Sequence, residues 1–290
     1  MARGWRCCPS RSPDGRPHGI PDPRPPPGPV TRSGSTGSDS IRLGFTRLFS
    51  IVVLAIIVLA CGSGDPPKTV SVSHLGDSVE VGPPPLEHNL TDVVAARLLA
   101  ATVGVRGLDC GRAQVGSGFV VSGTLVVTAA HVVAGIDAPV LTVAGEEVAS
   151  RVVGFDPVAD LAVLQPVSGL HRLTPLQLGQ PVAGTVGAIL VHEADGPRLV
   201  PVGLEILIRA TGTDVYGGPA GGRDAIVLAA GVLTGHSGAA VVDQTGRVVG
   251  VTFSRARGGG PVAYAVQASA VQSLLDSAEN LPEPAGPCID

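Results

Sequence analysis

The sequence predicts an all-β chain of two packed antiparallel barrels, closed by one short C-terminal helix. Two observations carry this reading. Short β-branched and aliphatic runs recur between Thr102 and Val266, broken by Gly and Pro at close intervals. The composition agrees, with 40 Gly, 26 Pro and only 3% aromatic residues, as suits many short strands joined by tight turns. The length of 290 residues allows one such domain plus non-globular segments.

The elements follow in order. Asn89 or Thr91 caps a short helix from Asp92 to Leu99. Strands are expected at Thr102–Arg106, Gly116–Val121, Leu125–Thr128, Val148–Gly154 and Leu161–Leu164. A second set covers Val186–Val191, Leu199–Ile208, Ala225–Leu228, Ala239–Val242, Val248–Phe253 and Val262–Val266. Ser269–Ala278 reads as the closing helix.

Upstream the composition changes sharply. Residues 1–44 are rich in Pro, Arg, Gly and Ser and cannot bury a core, so they read as a disordered leader or an over-extended start. Residues 45–61 hold the apolar run Ile51–Ala60, too short for a comfortable span but suited to a signal h-region. Its end, Val58-Leu59-Ala60-Cys61, resembles a bacterial lipobox, which makes Cys61 a candidate lipidation site. An uncleaved signal anchor is the alternative. Both put the domain on the outer face of the cytoplasmic membrane. Residues 62–90 read as a flexible tether. The net charge of −4 gives no reason to expect a nucleic acid partner.

Three segments carry chemistry: Val127-Thr128-Ala129-Ala130-His131-Val132, Asp156-Pro157-Val158-Ala159-Asp160-Leu161 and Gly235-His236-Ser237-Gly238. A serine hydroxyl is a weak nucleophile near neutral pH and needs an imidazole to take its proton, the role expected of His131 for Ser237. The imidazole needs a buried carboxylate to fix its tautomer. Asp160, at the mouth of an apolar run, is favoured over Asp156. The glycines beside Ser237 allow a tight turn in which the Gly235 and Ser237 N–H groups hold a developing oxyanion. Ser117 also lies between glycines but reads as the start of a strand with no partner acid. His74, His171 and His192 lack ligand spacing, so neither metal nor cofactor is expected.

These motifs, with Gly116-Ser117-Gly118-Phe119 and Asp243-Gln244-Thr245-Gly246, resemble the trypsin-like serine proteases of the HtrA/Deg-like branch, and most closely the MarP type. The resemblance covers about Thr91 to Leu275, within an expected protease domain of residues 91–290. It implies the chymotrypsin-like fold of two six-stranded barrels and a membrane-tethered serine endopeptidase acting on cell-envelope proteins through an acyl-enzyme. The family usually carries Asn or Asp before the serine and a second glycine after it. Here those positions are His236 and Ala239, which raises a catalytically silent binding or scaffold protein as the alternative. No PDZ domain is recognised in the sequence.

With Cys7 and Cys8 in the leader and Cys61 assigned to lipid, Cys110 and Cys288 remain as an expected disulfide in an oxidising compartment, the alternative being two free thiols. MarP-type domains also carry a terminal cysteine pair. By resemblance, the substrate-binding wall falls at Gly231 and Val232 before the serine and at Val251, Thr252 and Phe253 after it. The first segment holds no acidic residue, so a small or apolar P1 side chain is expected, with substrate pairing as an added strand.

Overall fold

Thr91 starts the first helix, α1 (Asp92–Ala100), in the computed structural model. Its backbone is extended (φ −73°, ψ 154°), and its hydroxyl accepts from the Val94 N–H at 3.4 Å, satisfying one donor that every helix start leaves over. Asn89 instead adopts a left-handed φ of 56°. The described residues are 81–290 apart from 110, 122–123, 169, 171–172, 257–259, 281–284 and 290, all within the unit Gly64–Asp290. The leader, the apolar run with Cys61 and Cys110 therefore lie outside them. No described helix is long and apolar enough to cross a membrane.

The first barrel consists of β1 (Thr102–Asp109), β2 (Arg112–Val121), β3 (Leu125–Thr128), β4 (Val140–Val143), β5 (Glu146–Asp156) and β6 (Leu161–Pro166). Its antiparallel strands close in the order β1-β2-β3-β6-β5-β4. The sequence reading missed β4. It is only four residues long, and its place is set by pairing, with Leu141 opposite both Val105 of β1 and Val148 of β5. Without it the barrel would have two open edges.

The second barrel comprises β7 (Thr185–Glu193), β8 (Gly196–Thr213), β9 (Pro219–Ala229), β10 (Ala240–Val242), β11 (Val248–Arg255) and β12 (Val262–Gln267), closed as β10-β11-β12-β9-β8-β7. Strand β7 is apolar on both faces for a physical reason. Ile189 and Val191 fill the second barrel's interior, while Ala188 and Leu190 point the other way, into a core shared with the first barrel. Val241 and Val242 divide between the same two cores. The closing helix α3 (Ala268–Asn280) buries Val271, Leu274, Leu275 and Ala278, a helical stripe that packs on β5 and β6.

Gly187 tests the seam that closes the second barrel. A Cβ there would collide with the Val242 backbone carbonyl on β10, which cannot swing aside. Gly187→Ala is expected to cost about 1–3 kcal/mol of stability, read as a fall in the urea midpoint. Gly260→Ala, with open space around it, should leave the midpoint unchanged.

Candidate active site

His131 sits on a single helical turn, α2 (Ala130–Val133), reached directly from β3. Asp160 approaches it from the turn between β5 and β6. Asp156 organises that turn, its Oδ1 accepting from the Val158 and Ala159 N–H groups at 2.9 and 2.8 Å. Asp160 leaves the turn at φ 59°, a left-handed conformation that Asp tolerates better than most side-bearing residues. The residue is 5% exposed, and its carboxylate grips His131 twice. Oδ1 accepts the backbone N–H at 3.0 Å, and Oδ2 accepts from ring Nδ1 at 2.8 Å. Of the two acids weighed from sequence, Asp160 holds the imidazole and Asp156 holds the turn.

This pairing sets the charge state of the ring. Burial pulls the His131 pKa down, the hydrogen bond and charge of Asp160 push it up, and the Arg223 charge pulls it down; the balance leaves it above 6.5. With Nδ1 donating to Asp160, Nε2 is the nitrogen left to take a proton.

The turn carrying Ser237 is built across the seam between the barrels. Its three carbonyls all point inward. The Gly235 carbonyl accepts from the Ser117 hydroxyl at 2.8 Å, that of His236 from the Thr252 hydroxyl at 2.6 Å, and that of Ser237 from the Ser117 N–H at 2.8 Å. The Gly235 and Ser237 N–H groups donate to no acceptor among the described residues, and both residues line a cleft of about 410 Å³ together with His131. Two glycines permit the close approach. A Cβ at Gly116 would press on Val132 and the Ser237 carbonyl, and one at Gly238, at φ 82°, would collide with the Ser117 carbonyl and the Thr128 hydroxyl.

Of the residues expected to bind substrate, Val232, Thr252 and Phe253 line the cleft. Gly231 is exposed outside the lining, and Val251 is buried in the sheet between Ala240 and Val266. Three participants escaped sequence reasoning. Ser117 is fully buried and ties the two barrels together. Arg223 stacks 4.7 Å over the Phe253 ring. Glu193 holds His236. The regular Gly116-Ser117-Gly118 pattern was the one available signal; for the other two, the partner lies on a distant strand.

The fold and this constellation define a trypsin-like peptidase domain, and residues 116–251 match the family described as the trypsin-like peptidase domain. That segment is homologous to the MarP- and HtrA-type serine proteases. The serine protease Rv3671c of Mycobacterium tuberculosis is 30% identical over 190 residues, 63% of this chain and 47% of the relative. Its crystal structures overlay with TM-scores of 0.66 for the active form and 0.59 for the inactive form, at 28% identity, covering 73% and 69% of this chain and 95% and 99% of those chains. A probable periplasmic serine endoprotease, DegP-like, of Brucella suis is 32% identical over 56% of this chain and 32% of its own length. The chain thus spans half or less of the curated relatives it matches.

Asp160→Asn is expected to slow fluorophosphonate labelling of Ser237 by on the order of 10⁴-fold, because the ring loses its tautomer and its counter-charge. Asp156→Asn, which keeps the Oδ1 acceptor, should label close to the wild-type rate. Only the neutral ring accepts a proton, so a raised pKa places the acid limb of the wild-type labelling–pH profile above pH 6.5.

Proposed function

We propose that this chain is an extracytoplasmic serine endopeptidase whose catalytic triad is His131, Asp160 and Ser237. The observation that carries the reading is the doubly bonded His131–Asp160 pair facing the same cleft as Ser237. His131 Nε2 takes the Ser237 proton as Oγ attacks the scissile carbonyl, and Asp160 stabilises the imidazolium that forms. The Gly235 and Ser237 N–H groups receive the oxyanion, each worth roughly 3–4 kcal/mol of transition-state stabilisation. The imidazolium then protonates the leaving amine, and water, activated by the same ring, hydrolyses the acyl-enzyme.

The cleft supports the substrate reading. Its lining carries no carboxylate among the described residues, while Val232, Leu233 and Phe253 are apolar, consistent with a small or apolar P1 residue. Strand β10 pairs with β11 only as far as Val251. Thr252 still bonds Ala239 and Gly238 through its N–H and carbonyl; past it Phe253 and Ser254 border the cleft, where an extended peptide can add as a strand. The alternative, a silent scaffold, rested on His236 and Ala239. Neither disorders the turn, since both are buried with their backbones hydrogen-bonded.

Attachment to the outer face of the cytoplasmic membrane, through lipid on Cys61 or an uncleaved anchor, and action on envelope proteins belong to the same proposal. So does a Cys110–Cys288 disulfide. Its support is that Cys288 is engaged rather than free, and that the nearby Gly286 carbonyl accepts from the Gly135 N–H at 2.9 Å, just beyond the His131 turn.

The test is fluorophosphonate labelling of the full-length protein beside Ser237→Ala. Labelling abolished by the substitution is expected, and a folded wild-type protein that takes no label would turn the reading toward the scaffold. In a peptide library, cleavage after small or apolar residues is expected; cleavage dominated by Arg at P1 would contradict the cleft assignment.

A further inference from the structure

The serine turn contains a residue that the reaction does not consume. His236 is 1% exposed, yet every polar group it owns is bonded. Its N–H donates to the Leu233 carbonyl at 3.1 Å, and its ring Nδ1 accepts the Leu233 N–H at 3.2 Å, so residues 233–236 are closed reciprocally. Its carbonyl accepts from Thr252. Because Nδ1 is an acceptor, Nε2 carries the proton, and it donates to Glu193 Oε1 at 3.0 Å. Glu193 ends β7 and is itself fixed by Arg198 Nε on β8 at 2.9 Å. The hydrogen bonds from His236 and Arg198 hold the Glu193 carboxyl below the usual carboxylate range despite some opposing desolvation. Next to Glu193 in sequence, the His192 N–H donates to the Ser117 hydroxyl at 2.9 Å, and that hydroxyl fixes the Gly235 carbonyl.

We infer that the end of β7 is the positioning element for the oxyanion-binding turn: Glu193 selects the His236 tautomer that captures the Leu233 N–H, so that Gly235 and Ser237 keep their N–H groups facing the cleft. Asn or Asp, the usual residues at this position in the family, would place an acceptor oxygen at the site of Nδ1 but would not reach Glu193. The Glu193 link therefore depends on the histidine at position 236. It rests on the serine endopeptidase reading for its kinetic consequence but not for its structural one.

Two measurements on the full-length protein test it. In Glu193→Ala, kcat for a cleavable peptide should fall by about 10- to 100-fold with KM within twofold, since misplacing oxyanion donors is felt in the transition state rather than in ground-state binding. Glu193→Gln, which keeps an oxygen acceptor for Nε2–H, should recover most of kcat. His236→Asn should outperform His236→Gln, because only Asn keeps the acceptor for Leu233. The second measurement is amide hydrogen exchange, expected to quicken at Leu233 and His236 in Glu193→Ala while the barrel strands stay protected. Unchanged exchange in the turn overturns the inference. Equal losses of kcat in Glu193→Ala and Glu193→Gln, or a loss confined to KM, do the same. A wild-type protein that takes no fluorophosphonate defeats the protease reading alone, and the exchange comparison then decides the positioning claim.

Discussion

The contact on which the site depends is the backbone approach between β2 of the first barrel and the serine turn of the second. Ser117 donates its N–H and its hydroxyl to two carbonyls of that turn, and it does so from a fully buried position where neither group has water to fall back on. An unpaired donor or acceptor there would cost about 1–3 kcal/mol, so the partners hold one register. Glycine at 116 and 238 is the steric condition for that approach. Remove the contact and the serine turn loses the surface against which it is shaped.

The seam also decides how the site is electrostatically organised. Carbonyl oxygens, which would repel a developing oxyanion, are all spent on donors inside the protein. The N–H groups are left toward the cleft without any charged side chain having to supply them. Across the cleft, the one buried carboxylate that touches His131 is compensated by two hydrogen bonds, and Asp156 serves that arrangement at one remove by shaping the turn. Arg223, stacked on Phe253, adds a positive charge that moderates the pull of Asp160 on the ring.

How much of this was legible in the sequence follows from the range of each interaction. Alternating apolar residues and Gly or Pro breaks marked eleven of the twelve strands along the chain, because side-chain period and turn chemistry are local, whereas the order in which they pair is not. Boundaries ran long: β8 extends from Gly196 to Thr213, well past the expected Leu199–Ile208, since its ends are held by pairing with β7 and β9 rather than by their own burial. Strand β4 was missed for the same reason. Asp160 was favoured over Asp156 from its apolar neighbour, and the geometry gives the physical cause, a left-handed residue projecting from a turn that Asp156 caps. From sequence His236 counted toward the silent-scaffold alternative. Its compensating partner, Glu193, lies 43 residues away, on a different strand, and no local pattern announces such a pair.

The strand orders carry one more consequence. Written from their first strands, the barrels read 1-2-3-6-5-4 and 7-8-9-12-11-10, the same winding twice. His131 follows the third strand of the first copy, and Ser237 follows the third strand of the second. The proposed base and the proposed nucleophile thus occupy corresponding loops of two like halves and line one cleft. The proposed proton acceptor and the proposed nucleophile therefore hold equivalent positions in the two halves, and neither half carries both.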